Sequence, residues 1–192
     1  MNEQELYYRI LEQKEQLQYL LKEHWQLFSN MSTWFFWFNL ATVIIPLVIL
    51  YFSIDRKRLF EVAFYGYSMH VLWLNIDMIL TGNNYFNHPH SLFYILPEGV
   101  SVTSVFLPVV FMLLYQHCTN NGKNFYLYAT VTSTIFAFGF GFFAESVDLL
   151  RMHKGMNLFY LTLIDIAAAF IAYWATNIFL MIKKQKPERR QD

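Results

Sequence analysis

Five long apolar tracts, separated by short polar segments, occupy the chain after residue 30. A helix needs about 20 mostly apolar residues to cross the hydrocarbon core of a bilayer, and each tract has roughly that length. The pattern therefore predicts an all-α, polytopic membrane protein whose five transmembrane helices form a bundle. The predicted spans are residues 34–54, 62–82, 99–118, 125–147 and 158–182.

The N-terminal segment, residues 1–30, has a different pattern. It is rich in strong helix formers, and its apolar residues mark one stripe of a helix. This predicts an amphipathic helix that lies on the membrane, folds against the bundle or pairs with a protein partner as a coiled coil. Five acids against three bases disfavour attachment to anionic lipid. The stripe consists of Leu6, Ile10, Leu17, Leu20, Leu21 and Phe28.

Composition agrees with a membrane protein. The chain is 56% hydrophobic and 15% charged, whereas soluble domains carry about 25% charged residues. Its net charge of zero gives no reason to expect a nucleic-acid partner. A single cysteine, Cys118, excludes an internal disulfide and a thiolate metal cluster. The first thirty residues lack a basic start followed by an apolar core, so no signal peptide is expected.

The distribution of basic residues predicts the orientation in the bilayer. One set of connections carries nine bases and the opposite set carries only Arg151 and Lys154. Since cytoplasmic loops are enriched in Lys and Arg, the predicted N-terminus is outside a bacterial cytoplasmic membrane. Residues 1–30 would form an extracytoplasmic helix, 31–182 the bundle, and 183–192 a basic cytoplasmic tail. The nine bases are Arg56, Lys57, Arg58, Lys123, Lys183, Lys184, Lys186, Arg189 and Arg190.

Carboxylates at or within the predicted spans are the candidate chemistry. Four of the five spans contribute one, all in the outer half, and the inner half is expected to contain none. Charged groups within a membrane are costly and usually face the bundle interior or water. The candidate ligand- or ion-binding residues are therefore Asp77, Glu98, Glu145, Asp148 and Asp165, with His70 as the mid-membrane histidine.

Helical spacing predicts that these acids point into the bundle. Each of three spans has a polar or small-residue face that carries an acid, and small residues allow helices to pack closely. The acids could pair with loop cations, stay protonated or bind a cation, and the sequence leaves these alternatives open. The faces are His70, Trp73, Asp77 and Thr81; Thr130, Thr134, Gly141, Glu145 and Asp148; and Thr162, Asp165, Ala168, Ala169, Ala172 and Thr176.

Motifs for catalysis, metals and cofactors are weak or missing in the sequence. His88 and His90 flank Pro89, but His-x-His alone falls short of the three or four ligands that zinc normally takes. We find no Ser–His–Asp arrangement and no zinc-helix motif. The sequence therefore predicts a protein that is not an enzyme and holds no metal or cofactor.

Four segments resemble a family of small, largely uncharacterised multi-pass membrane proteins from spore-forming Gram-positive bacteria. They are DRKRLFEVAFYG (55–66), IDMILTG (76–82), PVVFMLLYQ (108–116) and FAFGFGFFAE (136–145). The resemblance implies a bundle of about five helices but no reaction. The family pattern includes an acid five residues before the proline of the third span, where this chain has Thr103.

The sequence thus predicts a non-catalytic integral membrane protein with an acid-lined polar core in its outer half. That core would bind a partner or small ligand, or serve a structural role. The alternative is a small cation- or proton-coupled transporter or channel component that uses Asp77, Glu145 and Asp165. The absence of an evident inverted repeat in the sequence makes this alternative the weaker one. Beyond the lipid bilayer, the only partner expected is a protein bound through the N-terminal helix.

Overall fold

The computed structural model describes residues 1–95 and 101–184, and it is all-α apart from one short ribbon. Two of its long helices contain a π-helical turn, Val102–Phe106 before α4 and Phe136–Gly141 between α5 and α6. The ribbon pairs β1 (Phe86–Asn87) with β2 (Arg151–Met152). The helices are α1 (Glu3–Phe28), α2 (Trp34–Ser53), α3 (Leu59–Gly82), α4 (Leu107–Asn120), α5 (Phe125–Ile135), α6 (Phe142–Ser146) and α7 (Leu158–Lys184).

Within the described residues, four helical segments are long and apolar enough to cross a membrane: Trp34–Ser53, Val102–Asn120, Phe125–Ser146 and Leu158–Lys183. The remaining predicted span corresponds to α3, which has 24 residues but carries Glu61, His70 and Asp77 among its apolar side chains. Its composition is therefore less apolar than that of the other four, and the predicted count of five spans remains a prediction. The start predicted for the third span, residue 99, lies outside the described residues.

Helix α3 packs against both α4 and α7 and runs antiparallel to each. At one end of the bundle, the Arg58 guanidinium donates to Thr119 Oγ1 at the end of α4, at 2.9 Å. Lys183 of α7 borders the same region. The opposite end holds the loops that follow α3 and α6. We name the two ends by the predicted orientation: the Arg58 end is the inner end, and the ribbon end is the outer end.

The small-residue stripe predicted on α7 is confirmed. Its six residues are all buried, with Asp165 and Ala169 having no exposed surface. Alanines at these positions let α3 and α5 approach α7 closely, as small residues do between membrane helices. The stripe also carries the Asp165 carboxyl into the centre of the bundle.

The face predicted for the fourth span is wrong by about one residue. Thr134 and Glu145 are exposed, and of the predicted set only Gly141 is buried. The offset is already present at Thr134, which precedes the π-helical turn Phe136–Gly141. The prediction placed the polar side chains Thr130 and Thr134 on the inward face, whereas small residues one position earlier are buried there. The buried stripe is Ala129, Ser133, Ala137, Gly141 and Ala144.

The N-terminal helix α1 stands apart from the bundle and buries none of its residues. Its start is fixed by a capping box between Asn2 and Glu5. Only its last turn is anchored: the Trp25 indole donates to the Leu92 carbonyl at 3.2 Å. Just beyond the helix, Ser29 Oγ lies 2.9 Å from His90 Nδ1. Burial lowers the pKa of His90 below its ordinary value, which favours the neutral ring in this contact.

Candidate functional site

Asp165 is the most completely buried acid of the described chain. It has no exposed surface, and neither carboxyl oxygen has a hydrogen-bond partner among the described residues. The indole of Trp73 faces it from α3 without forming a hydrogen bond of normal geometry. Asp165 lies seven residues from the start of α7, about 10 Å along the helix. A buried polar group without partners carries a large desolvation cost.

Asp77 lies on α3 one helical turn from Trp73, about 6 Å along the axis. It is only 1% exposed, and its Oδ1 is 3.1 Å from His88 Nε2. Its Oδ2 has no hydrogen-bond partner in the described parts of the chain. His88 reaches this carboxyl because the chain turns back directly after α3, where the ribbon pairs Asn87 with Arg151.

Asp77 and Asp165 therefore share one neighbour, Trp73, in the interface between α3 and α7. His88 contacts Asp77 and is itself 11% exposed at the side chain. The structure thus joins two of the predicted acids in a polar row that begins near the outer surface. The row runs from His88 through Asp77 and Trp73 to Asp165.

The other predicted site residues are not part of this row. Glu145 is exposed. Asp148 forms a two-pronged pair with Arg151, at 2.5 and 2.7 Å, and the hydrogen bond from this guanidinium lowers the pKa of Asp148 below its usual range. His70 is half-buried, and its Nδ1 lies 2.7 Å from the Ser104 carbonyl oxygen, which links α3 to the π-helical turn before α4. Glu98 lies outside the described residues.

The loop cations Arg151 and Lys154 do not pair with Asp77 or Asp165. Arg151 is bound to Asp148, and Lys154 Nζ donates to the Asn83 carbonyl at 2.5 Å. Among the described residues, the only ion-pair partner of Asp77 is His88, and Asp165 has none. Of the three alternatives left open by the sequence, pairing with loop cations is therefore wrong for Asp165.

A second polar cluster lies at the outer end and was not predicted. Ser101 Oγ donates to Asn39 Oδ1 at 2.6 Å, and Asn39 Nδ2 donates to the His90 carbonyl at 3.0 Å. Asn39 thereby ties α2 to the loop that contains His88 and His90. It is the only amide side chain within the strongly apolar first span. This isolated polar residue was the feature of the sequence from which the cluster could have been predicted.

The inner end contains an acid where none was expected. Glu61 lies on the first turn of α3, where Arg58 donates to both of its carboxylate oxygens. The Tyr115 hydroxyl also donates to it, at 2.7 Å. The prediction of an acid-free inner half is wrong because α3 begins three residues earlier than the predicted span. Glu61 is fully partnered, in contrast to Asp165.

Asp77 and Asp165 offer this site free acceptor oxygens among the described residues. Two carboxyls with unpaired oxygens can accept a proton or contact a small cation. No group of three His, Cys, Asp or Glu residues in the described ranges is arranged to hold a metal ion. Comparison with family models, curated proteins and solved structures gives no match. The resemblance to the spore-former family remains a prediction.

Proposed function

We propose that this chain is a non-catalytic, five-span protein of the bacterial cytoplasmic membrane whose acid-lined polar core binds a proton or small inorganic cation. The observation that carries the proposal is Asp165, fully buried, with two oxygens that lack hydrogen-bond partners among the described residues. An ionised carboxylate in such surroundings requires a positive partner. A proton or a bound cation supplies it.

The depth of the two acids supports a small ligand. Asp77 lies five residues from the end of α3, about 7 Å along the helix, and Asp165 is deeper, as described above. Ionisable groups within membranes are functional candidates by default. His88 at the mouth offers a ring nitrogen beside Asp77, so an entering cation would meet the Asp77 carboxyl first and the Asp165 carboxyl second.

This succession of two acids also favours the second candidate, a cation- or proton-coupled transporter component. Transport requires a further path to the inner end. The buried Tyr65, whose hydroxyl has no hydrogen-bond partner among the described residues, lies in that direction. Flux of protons or sodium ions into proteoliposomes separates transport from binding alone.

The proposal includes α3 as a membrane span. Six of its residues are buried within the bundle, including Tyr65, Trp73 and Asp77, and α4 and α7 cover it. A central helix faces protein more than lipid. It therefore tolerates a composition that a lipid-facing helix would not. Five spans then place the two termini on opposite sides of the membrane.

Labelling of single cysteines tests this topology. We expect His153→Cys, on the exposed loop beyond β2, to react with an impermeant thiol reagent added to intact cells. Lys123→Cys, on the exposed turn between α4 and α5, should react only after the cells are broken. The native Cys118 is buried and serves as the background control. Labelling of Lys123→Cys but not of His153→Cys in intact cells would reverse the orientation.

The exposed stripe of α1 is the surface that we propose for a protein partner. The stripe residues Leu6, Ile10, Leu17 and Leu20 belong to a face of α1 whose positions alternate at spacings of four and three, as in a coiled coil. A photocrosslinking residue at Leu17 of the full chain should yield protein adducts. Adducts with lipid alone would mean that α1 lies on the membrane. The positions are Leu6, Ile10, Gln13, Leu17, Leu20, His24 and Leu27.

Thermal stability in the presence of cations tests the binding proposal. A ligand that binds only the folded protein at one hundred times its dissociation constant adds about 2.7 kcal/mol. For a chain of this length, that corresponds to a rise in Tm of about 5–11 °C. If the ligand is a metal cation, we expect such a rise in Tm with sodium or potassium chloride, saturating with concentration, and none with the chloride of a bulky organic cation. If the ligand is a proton, we expect the rise in Tm when the pH is lowered. A Tm that is independent of both cations and pH contradicts the proposal.

A further inference from the structure

A groove at the inner end, between the start of α3 and the end of α7, combines positive charge with an apolar wall. Its volume is about 330 Å³. Three of the bases that line it, Arg56, Lys57 and Lys183, are exposed. The wall below them is formed by Phe60, Phe64, Phe179 and Leu180.

Among the described residues, the bases that line this groove outnumber its acids. Of its four basic residues, Arg58 is held by Glu61, the one acid in the lining. Asp55 lies nearby, but its carboxylate accepts from the Lys57 backbone N–H at 2.9 Å and so caps the turn that begins the helix. Within the described ranges, Arg56, Lys57 and Lys183 form no ion pair with a carboxylate.

The apolar wall distinguishes this groove from a site for a free anion. Phe64 and Phe179 pack with ring centroids 4.8 Å apart, which joins α3 to α7 below the charges. Phe60 is 90% exposed beside them. An inorganic phosphate would use the bases and leave these rings uncovered. A ligand with a phosphate and a hydrocarbon chain would use both.

We propose that this groove binds a phospholipid with a net negative headgroup. Its phosphate lies against Arg56, Lys57 and Lys183, and one acyl chain lies along Phe64 and Phe179. Basic pockets between membrane helices bind anionic headgroups in this way. A zwitterionic lipid fits less well because its own cationic group would meet the three bases. This site is at the opposite end from Asp77 and Asp165 and does not depend on the function proposed for them.

Native mass spectrometry of the purified full-length chain tests the site, with phosphatidylglycerol and phosphatidylcholine of identical acyl chains as the probes. We expect wild type to retain one phosphatidylglycerol preferentially. The triple variant Arg56→Gln, Lys57→Gln, Lys183→Gln should bind it at least tenfold more weakly. The matched control is Arg9→Gln, Lys14→Gln, Lys22→Gln on α1, which removes the same charge and should leave retention unchanged.

Three results would overturn the proposal. Equal retention of both lipids by wild type would remove the preference for negative charge. Undiminished retention by the groove variant would place the lipid elsewhere. If inorganic phosphate displaced phosphatidylglycerol at equal concentration, the acyl chain would contribute nothing to the affinity. The substituted side chains are exposed, and equal Tm values for the two triple variants in zwitterionic detergent would establish that both are folded.

Discussion

Gly66→Leu is expected to destabilise the bundle by about 3 kcal/mol, the upper part of the range for overpacking a close interface. Gly66 is buried on α3, and a Cβ added there would overlap the Met112 side chain of α4. The overlap reaches Met112 Cγ as well as its sulfur, so rotation of the end of that side chain does not relieve it. The helices must separate, and the core around Tyr65 and Tyr115 loosens with them.

The matched control is Gly82→Leu, at the end of the same helix. A Cβ there meets nothing within 4 Å, and leucine is the better helix former by several tenths of a kcal/mol. Thermal unfolding in detergent should give a Tm for Gly66→Leu that is about 6–12 °C below wild type. Gly82→Leu should stay close to it. Equal Tm values for the two variants would mean that α3 and α4 are not closely packed at Gly66.

Asp165→Asn is expected to abolish the response of the protein to protons or cations while leaving it folded. The amide keeps the shape of the side chain and removes the charge that needs a positive partner. Removing a buried charge that lacks a good partner is often neutral or stabilising. We therefore expect the variant to melt at or above the wild-type temperature, with a Tm that no longer depends on added cation.

The pH dependence has a definite sign if the ligand is a proton. If the folded protein holds a proton that the unfolded chain releases, the folded protein loses stability as the pH rises. Wild-type Tm should then fall between pH 5 and 9, and the Asp165→Asn curve should be flatter. Glu145→Gln is the control, because it makes the same chemical change at an exposed carboxylate and should follow wild type. An Asp165→Asn curve that also follows wild type would remove Asp165 from the site.

The parts of the fold that depend on regular helical periodicity could be predicted from sequence. On α7, the spacing of Thr162, Asp165 and Ala169 sets the buried stripe directly because that helix is regular throughout. The same reasoning failed for Glu145, because the predicted face followed the polar residues Thr130 and Thr134, and small residues one position earlier are buried instead. The position of Asp165 was therefore predictable, and that of Glu145 was not.

The partners of the site could not be predicted because they come from loops and helix ends. The contact of His88 with Asp77 depends on where the chain turns after α3 and on a ribbon of only two residues per strand. Glu61 was missed because hydropathy places the start of a helix only to within a few residues. Its pairing with Arg58 and Tyr115 is a tertiary arrangement that the linear pattern does not specify.

The central claim is that a proton or small cation neutralises the carboxyl of Asp165 in the folded protein. Infrared difference spectroscopy of the purified protein reads this directly, since a protonated carboxyl and a carboxylate absorb in separate regions. We predict a protonated-carboxyl band in cation-free buffer that is lost on raising the pH or adding a binding cation, and that is absent from Asp165→Asn. A carboxylate signal from Asp165 that is present throughout, unaffected by pH or cations, would contradict the account.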